Sequence, residues 1–239
     1  YGQLADILIG AEEAAYSANA TAEGGWRGAR SFRLSRKVQE SEEIVSLYLV
    51  PADGGALAAF QPGQYITLIL DIDGQTVRRN YSLSNSPGKP YYRISVKREP
   101  GGLVSNWLHD NLNEGDVLAV HGPVGNFNCI DYPAERILML SGGVGITPLM
   151  SMARWYFDTN ANVDISFVHS ARSPRDIIFW RQLEFMDSRV PEFNMHVICE
   201  RFETGQTWSG YRGYLTDAML EMIAPDFMER EIFCCGPTP

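Results

Sequence analysis

Arg79, Asn80, Tyr81 and Ser82 place a cation, an amide, an aromatic ring and a hydroxyl on one extended stretch. In a strand, positions i and i+2 share a face, so Arg79 and Tyr81 point the same way. A guanidinium pairs with a pyrophosphate through parallel N–H···O bonds. An aromatic plane two residues on can stack against a flat heterocycle. Ser82 follows with a hydroxyl and an N–H for a ring nitrogen. That order suits a dinucleotide with a flat reactive end. The same four residues also fit a surface strand carrying Arg and Tyr by chance, and alone they do not separate the two.

Three further clusters carry possible chemistry. Gly101 and Gly102 open a helical stretch, Val104–Leu112, about twenty residues after Arg79. Glycine lets backbone N–H groups approach an anion, and a helix N-terminus favours negative charge. Gly142, Gly143, Val144, Gly145, Ile146 and Thr147 follow an apolar run and precede Pro148. A glycine-rich turn from strand to helix is where a parallel sheet binds phosphate. It is not the dinucleotide fingerprint G-x-G-x-x-G, because Pro148 stands at the last glycine, and no Lys follows to make a P-loop. Cys234, Cys235, Gly236 and Pro237 end the last strand, at the ligand-binding end of such a sheet. Strand neighbours face opposite ways, so one cysteine is expected to be buried and Cys235 to face the crevice. Ser170 and Arg172, just past another strand end, could touch a ribose or its phosphate; Arg175 is a rival for that place, and a site using neither arginine fits the sequence as well. Trp155, Tyr156 and Phe157 read as helix packing.

These clusters need elements to position them. From about Ser31 to Tyr132 the chain reads as six short strands: Phe32–Val38, Ile44–Val50, Gln64–Asp71, Thr76–Ser84, Tyr91–Lys97 and Val117–His121. Turn signals separate them, such as Asp73-Gly74. Closely spaced strands of this kind predict a small antiparallel barrel. From Glu135 the period changes. Ile137–Leu140, Val163–His169, Asn194–Glu200 and Glu231–Cys234 read as buried strands. Helical stretches Pro148–Phe157, Pro174–Met186 and Thr216–Ile223 lie between them. Alternating strand and helix predicts a parallel sheet with helices on both faces. The fold class is therefore mixed β and α/β, with units at 1–30, 31–133 and 134–239. In the first unit, Leu4, Ile7, Leu8 and Ala11 form an amphipathic helix without a partner nearby in sequence. It reads as the tail of something larger upstream.

Composition sets bounds. A hydrophobic fraction of 45% and a charged fraction of 21% are those of a globular protein. A net charge of −9 argues against nucleic acid and anionic lipid as partners. No apolar run approaches a bilayer span. The four cysteines lack C-x-x-C spacing and the four histidines are scattered, so no metal site is expected. Few, unpatterned cysteines suit a cytoplasmic protein.

The four motifs, in this order, resemble the ferredoxin–NADP reductase superfamily. The resemblance implies an FAD-binding β-barrel followed by an NAD(P)-binding α/β domain. It implies that Arg79 binds the FAD pyrophosphate, Tyr81 stacks on the isoalloxazine and Ser82 contacts flavin N5. Gly102, Val104 and Ser105 would hold the pyrophosphate together with Gly101. Gly142 to Thr147 would hold NADH or NADPH, with Cys235, Gly236 and Pro237 beside the nicotinamide. Pro62-Gly63-Gln64-Tyr65, the run from Tyr92 to Lys97 and Arg98, and the Gly101 turn also resemble flavohemoglobin, in which Tyr65 matches a flavin contact. That family oxidises nitric oxide to nitrate and passes electrons to haem in a globin domain, whose last helix residues 1–22 resemble. The segment from His169 to Phe179 is more similar to reductases carrying a [2Fe-2S] ferredoxin domain for an oxygenase or hybrid-cluster partner. A flavin- or nucleotide-binding redox sensor is the expectation from outside the enzymes.

Overall fold

The computed structural model of the chain describes residues 26–202 and 207–237. β1 (Arg30–Gln39) buries Phe32 and Leu34 and exposes Ser31, Arg33 and Ser35, the period of two that a half-buried strand requires. β2 (Ile44–Pro51), β3 (Tyr65–Ile72), β4 (Gln75–Ser82), β5 (Tyr92–Lys97) and β6 (Val117–Val124) join it in one antiparallel sheet. The strand order is β4-β3-β6-β1-β2-β5. Leu83, just beyond β4, bridges Ile94 of β5 and so draws the two outer strands together into the expected barrel. Asp73 and Gly74 take positive φ values of 53° and 75°, which lets a two-residue turn join β3 to β4. Inside, Trp26, Phe32, Phe60 and Tyr92 pack ring to ring with centroids 5.4–6.4 Å apart. Burying each such ring contributes about 2–3 kcal/mol.

α1 (Leu103–Asp110) lies between β5 and β6 in sequence and buries Val104 and Leu108. Lys37 of β1 donates from its ammonium to the carbonyls of Leu108, His109 and Leu112 at 3.0, 2.7 and 2.8 Å. Those carbonyls have no partner within the helix, so the cation fixes its C-terminal end.

The second sheet is parallel throughout. β7 (Arg136–Gly142), β8 (Asp164–Ala171), β9 (Phe193–Cys199), β10 (Tyr211–Arg212) and β11 (Glu231–Cys235) lie in the order β10-β9-β8-β7-β11. α2 (Ile146–Asp158) and α3 (Trp180–Arg189) cover one face, where Met139, Phe167 and Phe233 meet Leu149 and Leu183. α4 (Asp217–Ile223) covers the other, over Leu138, Val168 and Ile198. The chain winds outward from β7 to β10 and returns beyond β7 with β11. This reversal opens a crevice at the carboxyl ends of β7, β8 and β11.

One expected element is corrected by the fold, and one strand carries no sequence signature. The single helix over Pro174–Met186 is broken: a short turn spans Pro174–Asp176 and α3 begins at Trp180. Between them Phe179 takes φ +60°, and its buried ring lies under the Arg93 guanidinium of β5 at 4.3 Å. A contact with the barrel thus overrides a helical pattern. The two-residue β10 has no sequence pattern to mark it, because two residues carry no periodicity. The amphipathic stretch Leu4 to Ala11 lies outside the described residues. Among the described residues, no helix is long and apolar enough to cross a membrane.

Candidate functional site

The barrel and the second sheet's α2 layer are joined by groups of different kinds. Ile44 of β2 is buried in the core of the second sheet, in one cluster with Ile137 and Met150. Ser151 of α2 donates to the Asn85 carbonyl at 2.7 Å, and Lys89 pairs with Asp158 at 2.9 Å. Arg93 is buried; it donates to Ser84 Oγ at 2.9 Å and to the Ser84 carbonyl. These contacts hold the end of β4 and the segment after it against α2.

Cross-strand partners share a face, so register sorts the residues of β4. Arg79 and Tyr81 oppose Leu68 and Ile66, while Asn80 and Ser82 oppose Thr67 and Tyr65. The expected pairing of Arg79 with Tyr81 holds. Tyr81 is half-buried against the barrel core, and burial pushes its hydroxyl up to about 12, offset in part by Arg79. It stays neutral in water and presents a ring. Arg79 is exposed and donates to the Arg78 carbonyl at 2.7 Å. On the other face Thr67 Oγ1 donates to Asn80 Oδ1 at 2.7 Å. The Tyr65 ring lies over Gly125, where a Cβ would come within 3.0–3.1 Å of two ring carbons. Gly125 has φ +130°, so that position suits glycine for both reasons.

Gly101 has φ +71° and Gly102 directly precedes α1, which has no side-chain cap. A Cβ on Gly102 would press into Ser105 Oγ, which accepts from the Glu99 N–H at 3.2 Å. The first N–H groups of α1 are therefore open to an acceptor. Lys97 pairs with Glu99 at 2.9 Å on the rim of this turn.

At the crevice, Gly142 ends β7, Gly143 to Gly145 form one tight turn, and α2 begins at Ile146. Thr147 Oγ1 donates to the Val144 carbonyl at 3.1 Å. A Cβ on Gly142 would lie 3.0 Å from Pro237 Cδ. One on Gly145 would lie inside 3.0 Å of Cys235 C and O and of Gly236 Cα. The glycine turn and the Cys235-Gly236-Pro237 end of β11 thus touch through backbone. The cysteine expectation is reversed: Cys234 is the exposed one, Cys235 is half-buried, and neither is fully buried. Cys235 shares its strand face with buried Phe233, and burial raises its thiol above the usual range.

Register places Ser170 of β8 beside Gly142. Arg172, two residues on, is engaged: its Nη2 donates to Glu43 Oε2 at 2.5 Å and to Asp176 Oδ1 at 3.3 Å. Asp176 also accepts from Ser173 Oγ at 2.7 Å. Glu43 was not among the sequence candidates. It stands 129 positions from Arg172, in the β1–β2 turn, and no local pattern marks it.

Beneath the glycine turn, His169 is fully buried, with Nδ1 2.8 Å from Ser141 Oγ and no partner at Nε2. Burial pushes its pKa down to about 4. The unfolded value is about 6.5. The unfolded chain therefore binds the extra proton first. Its contribution to stability is complete above pH 6.5 and is lost progressively as pH falls from 6.5 to 4. The expected loss is about 3 kcal/mol. Urea unfolding at pH 7 and pH 4.5 should show His169→Gln losing less on acidification than wild type. Equal losses would acquit His169.

Comparison with known proteins bears on this arrangement. Residues 31–129 match the oxidoreductase FAD-binding domain family and residues 139–239 the oxidoreductase NAD-binding domain family. The chain is 60% identical over 215 residues to the glycine betaine monooxygenase reductase subunit of Pseudomonas aeruginosa (strain UCBPP-PA14), covering 90% of this chain and 59% of that protein. It is 42% identical to the flavohemoprotein of Burkholderia sp. (strain TH2), covering 99% of this chain and 60% of that protein. The FAD/NAD-binding domain of nitric oxide dioxygenase from Vibrio cholerae O1 biovar El Tor superposes with a TM-score of 0.74 at 26% identity, over 88% of this chain and 100% of that one. Phthalate dioxygenase reductase shares the fold, with a TM-score of 0.70 at 24% identity, over 88% of this chain and 61% of that one. The chain thus spans about 60% of the length of these curated relatives.

Proposed function

The chain belongs to the ferredoxin–NADP reductase superfamily, with its FAD-binding and NAD-binding oxidoreductase domains in that order, and on that premise we propose that it is the reductase unit of an oxygenase system. It takes hydride from NAD(P)H to FAD and hands single electrons to an iron–sulfur centre that serves the oxygenase. The observation that carries this reading is the 60% identity to an oxygenase reductase subunit, against 42% to a flavohemoprotein. The haem-directed reading has one observation of its own: the flavohemoprotein match reaches 99% of the chain and the oxygenase reductase match 90%.

The residues fit the two cofactors. Arg79 and the open N–H groups behind Gly101 and Gly102, with Val104 and Ser105, suit the FAD pyrophosphate. Tyr65 and Tyr81 offer rings to a flat heterocycle, and Lys97 and Asn80 border it. Gly142 to Thr147 leave backbone room for the nicotinamide nucleotide, with Ser170, Cys235, Gly236 and Pro237 at its rim. When bound, the flavin supplies the conversion of a two-electron hydride into one-electron steps. The protein's part is orientation and exclusion of water. Ser82, at the end of β4 opposite Tyr65, offers a hydroxyl at the reacting edge.

Holoprotein should show flavin absorbance and should reduce ferricyanide with NADH. Ser82→Ala should keep its FAD and lose at least about tenfold in the stopped-flow rate of flavin reduction. A wild-type rate removes Ser82 from the chemistry. No turnover in flavin-loaded wild type would favour a sensor. Faster electron delivery to a globin haem than to a [2Fe-2S] ferredoxin would favour the haem-directed reading.

A further inference from the structure

Nucleotide-binding sheets of this architecture discriminate at the adenosine ribose. A carboxylate there accepts from the 2′-hydroxyl of NADH, and an arginine there donates to the 2′-phosphate of NADPH. This chain has both kinds of group past the end of β8, and they are bound to each other. Arg172 Nη2 lies 2.5 Å from Glu43 Oε2 and 3.3 Å from Asp176 Oδ1. The three side chains together carry a net charge of −1. Glu43 is supplied from the other sheet, where its own carbonyl accepts from the Arg98 N–H at 2.7 Å. The next residue, Ile44, is buried in the second core. Glu43 is thus anchored on both sides.

We propose that Glu43, reaching from the barrel, occupies Arg172 and thereby makes the nucleotide site select NADH over NADPH. A 2′-phosphate brings about two negative charges to a cluster that already has one in excess. To use Arg172 it must displace a carboxylate that the fold holds in place, and like charges brought together at such a site are strongly disfavoured. A 2′-hydroxyl meets no such barrier, and Asp176 can accept from it. The neighbouring arginines have partners of their own. Arg175 is already engaged. Arg201, whose N–H donates to the Arg172 carbonyl at 2.7 Å, has Nε 3.7 Å from Glu200. Asp176 contributes the second carboxylate but follows Arg172 on the same segment. The discriminating contact is therefore the one that crosses between the sheets.

This inference rests on the nucleotide-binding reading, and one titration separates the two. Calorimetry of the flavin-loaded full chain with 5′-AMP and with 2′,5′-ADP reads ribose recognition without turnover. Wild type should bind 5′-AMP more tightly than 2′,5′-ADP. Glu43→Gln should strengthen 2′,5′-ADP binding about tenfold and leave 5′-AMP within about twofold. Adding Arg172→Ala to Glu43→Gln should erase that gain. The same shift should appear in the ratio of kcat/KM for NADPH and NADH. An unchanged preference in Glu43→Gln, or a gain that survives loss of Arg172, overturns the proposal. If wild type binds neither nucleotide, the nucleotide-binding reading itself fails and this inference falls with it.

Discussion

Gly145→Ala should abolish most nucleotide binding while leaving the flavin in place. The added Cβ would sit inside 3.0 Å of Cys235 C and O and Gly236 Cα. All three are backbone atoms, so no side-chain rotation relieves the clash. The end of β11 must move away from the glycine turn, or the turn must move into the crevice. Overpacking of this kind costs about 1–3 kcal/mol, or about tenfold to hundredfold in affinity if the bound form bears it. Gly143→Ala is the control. Gly143 has φ +52° and nothing within 4 Å of its would-be Cβ, so it bears only the left-handed backbone penalty of about 1 kcal/mol. NAD+ titration should rank wild type above Gly143→Ala and Gly143→Ala above Gly145→Ala, with equal flavin content in all three. Wild-type NAD+ affinity in Gly145→Ala would show that the crevice at the carboxyl ends of β7 and β11 is not where the nucleotide lies.

Arg79→Ala should give a colourless protein that is otherwise folded. Among the described residues, Arg79 pairs with no carboxylate; its guanidinium donates to the Arg78 carbonyl. Its removal therefore costs the apoprotein little, within about 1 kcal/mol. Two charge-assisted hydrogen bonds to a pyrophosphate are worth about 3 kcal/mol together, about a hundredfold in FAD affinity. The ratio of flavin to protein absorbance after gel filtration measures the loss. Thermal unfolding of the apoprotein checks the fold. Arg79→Lys should recover part of the affinity, since it restores charge without the planar fork. Full flavin content in Arg79→Ala would move the pyrophosphate contact entirely to the N-terminus of α1.

The legible part of this molecule was local. Alternation in Phe32 and Leu34 marked β1, and the apolar run before Gly142 marked β7, because a strand's period is set by its own backbone. The order of the four motifs followed from the chain itself. The sequence by itself thus determined the two architectures, their order, and the backbone freedom required at the glycine turns.

Tertiary structure decided what each side chain was free to do. Which cysteine of the pair is exposed depended on the layer that covers one face of β11, not on its place beside Gly236. The break at Phe179 came from Arg93 on the barrel. Arg172 reads in sequence as a cation open to a ribose phosphate, and in the fold it is held by a carboxylate 129 positions away. The reason is the same in each case. Backbone preference acts over a few neighbours, whereas burial and charge pairing depend on surfaces that meet only when the two sheets dock.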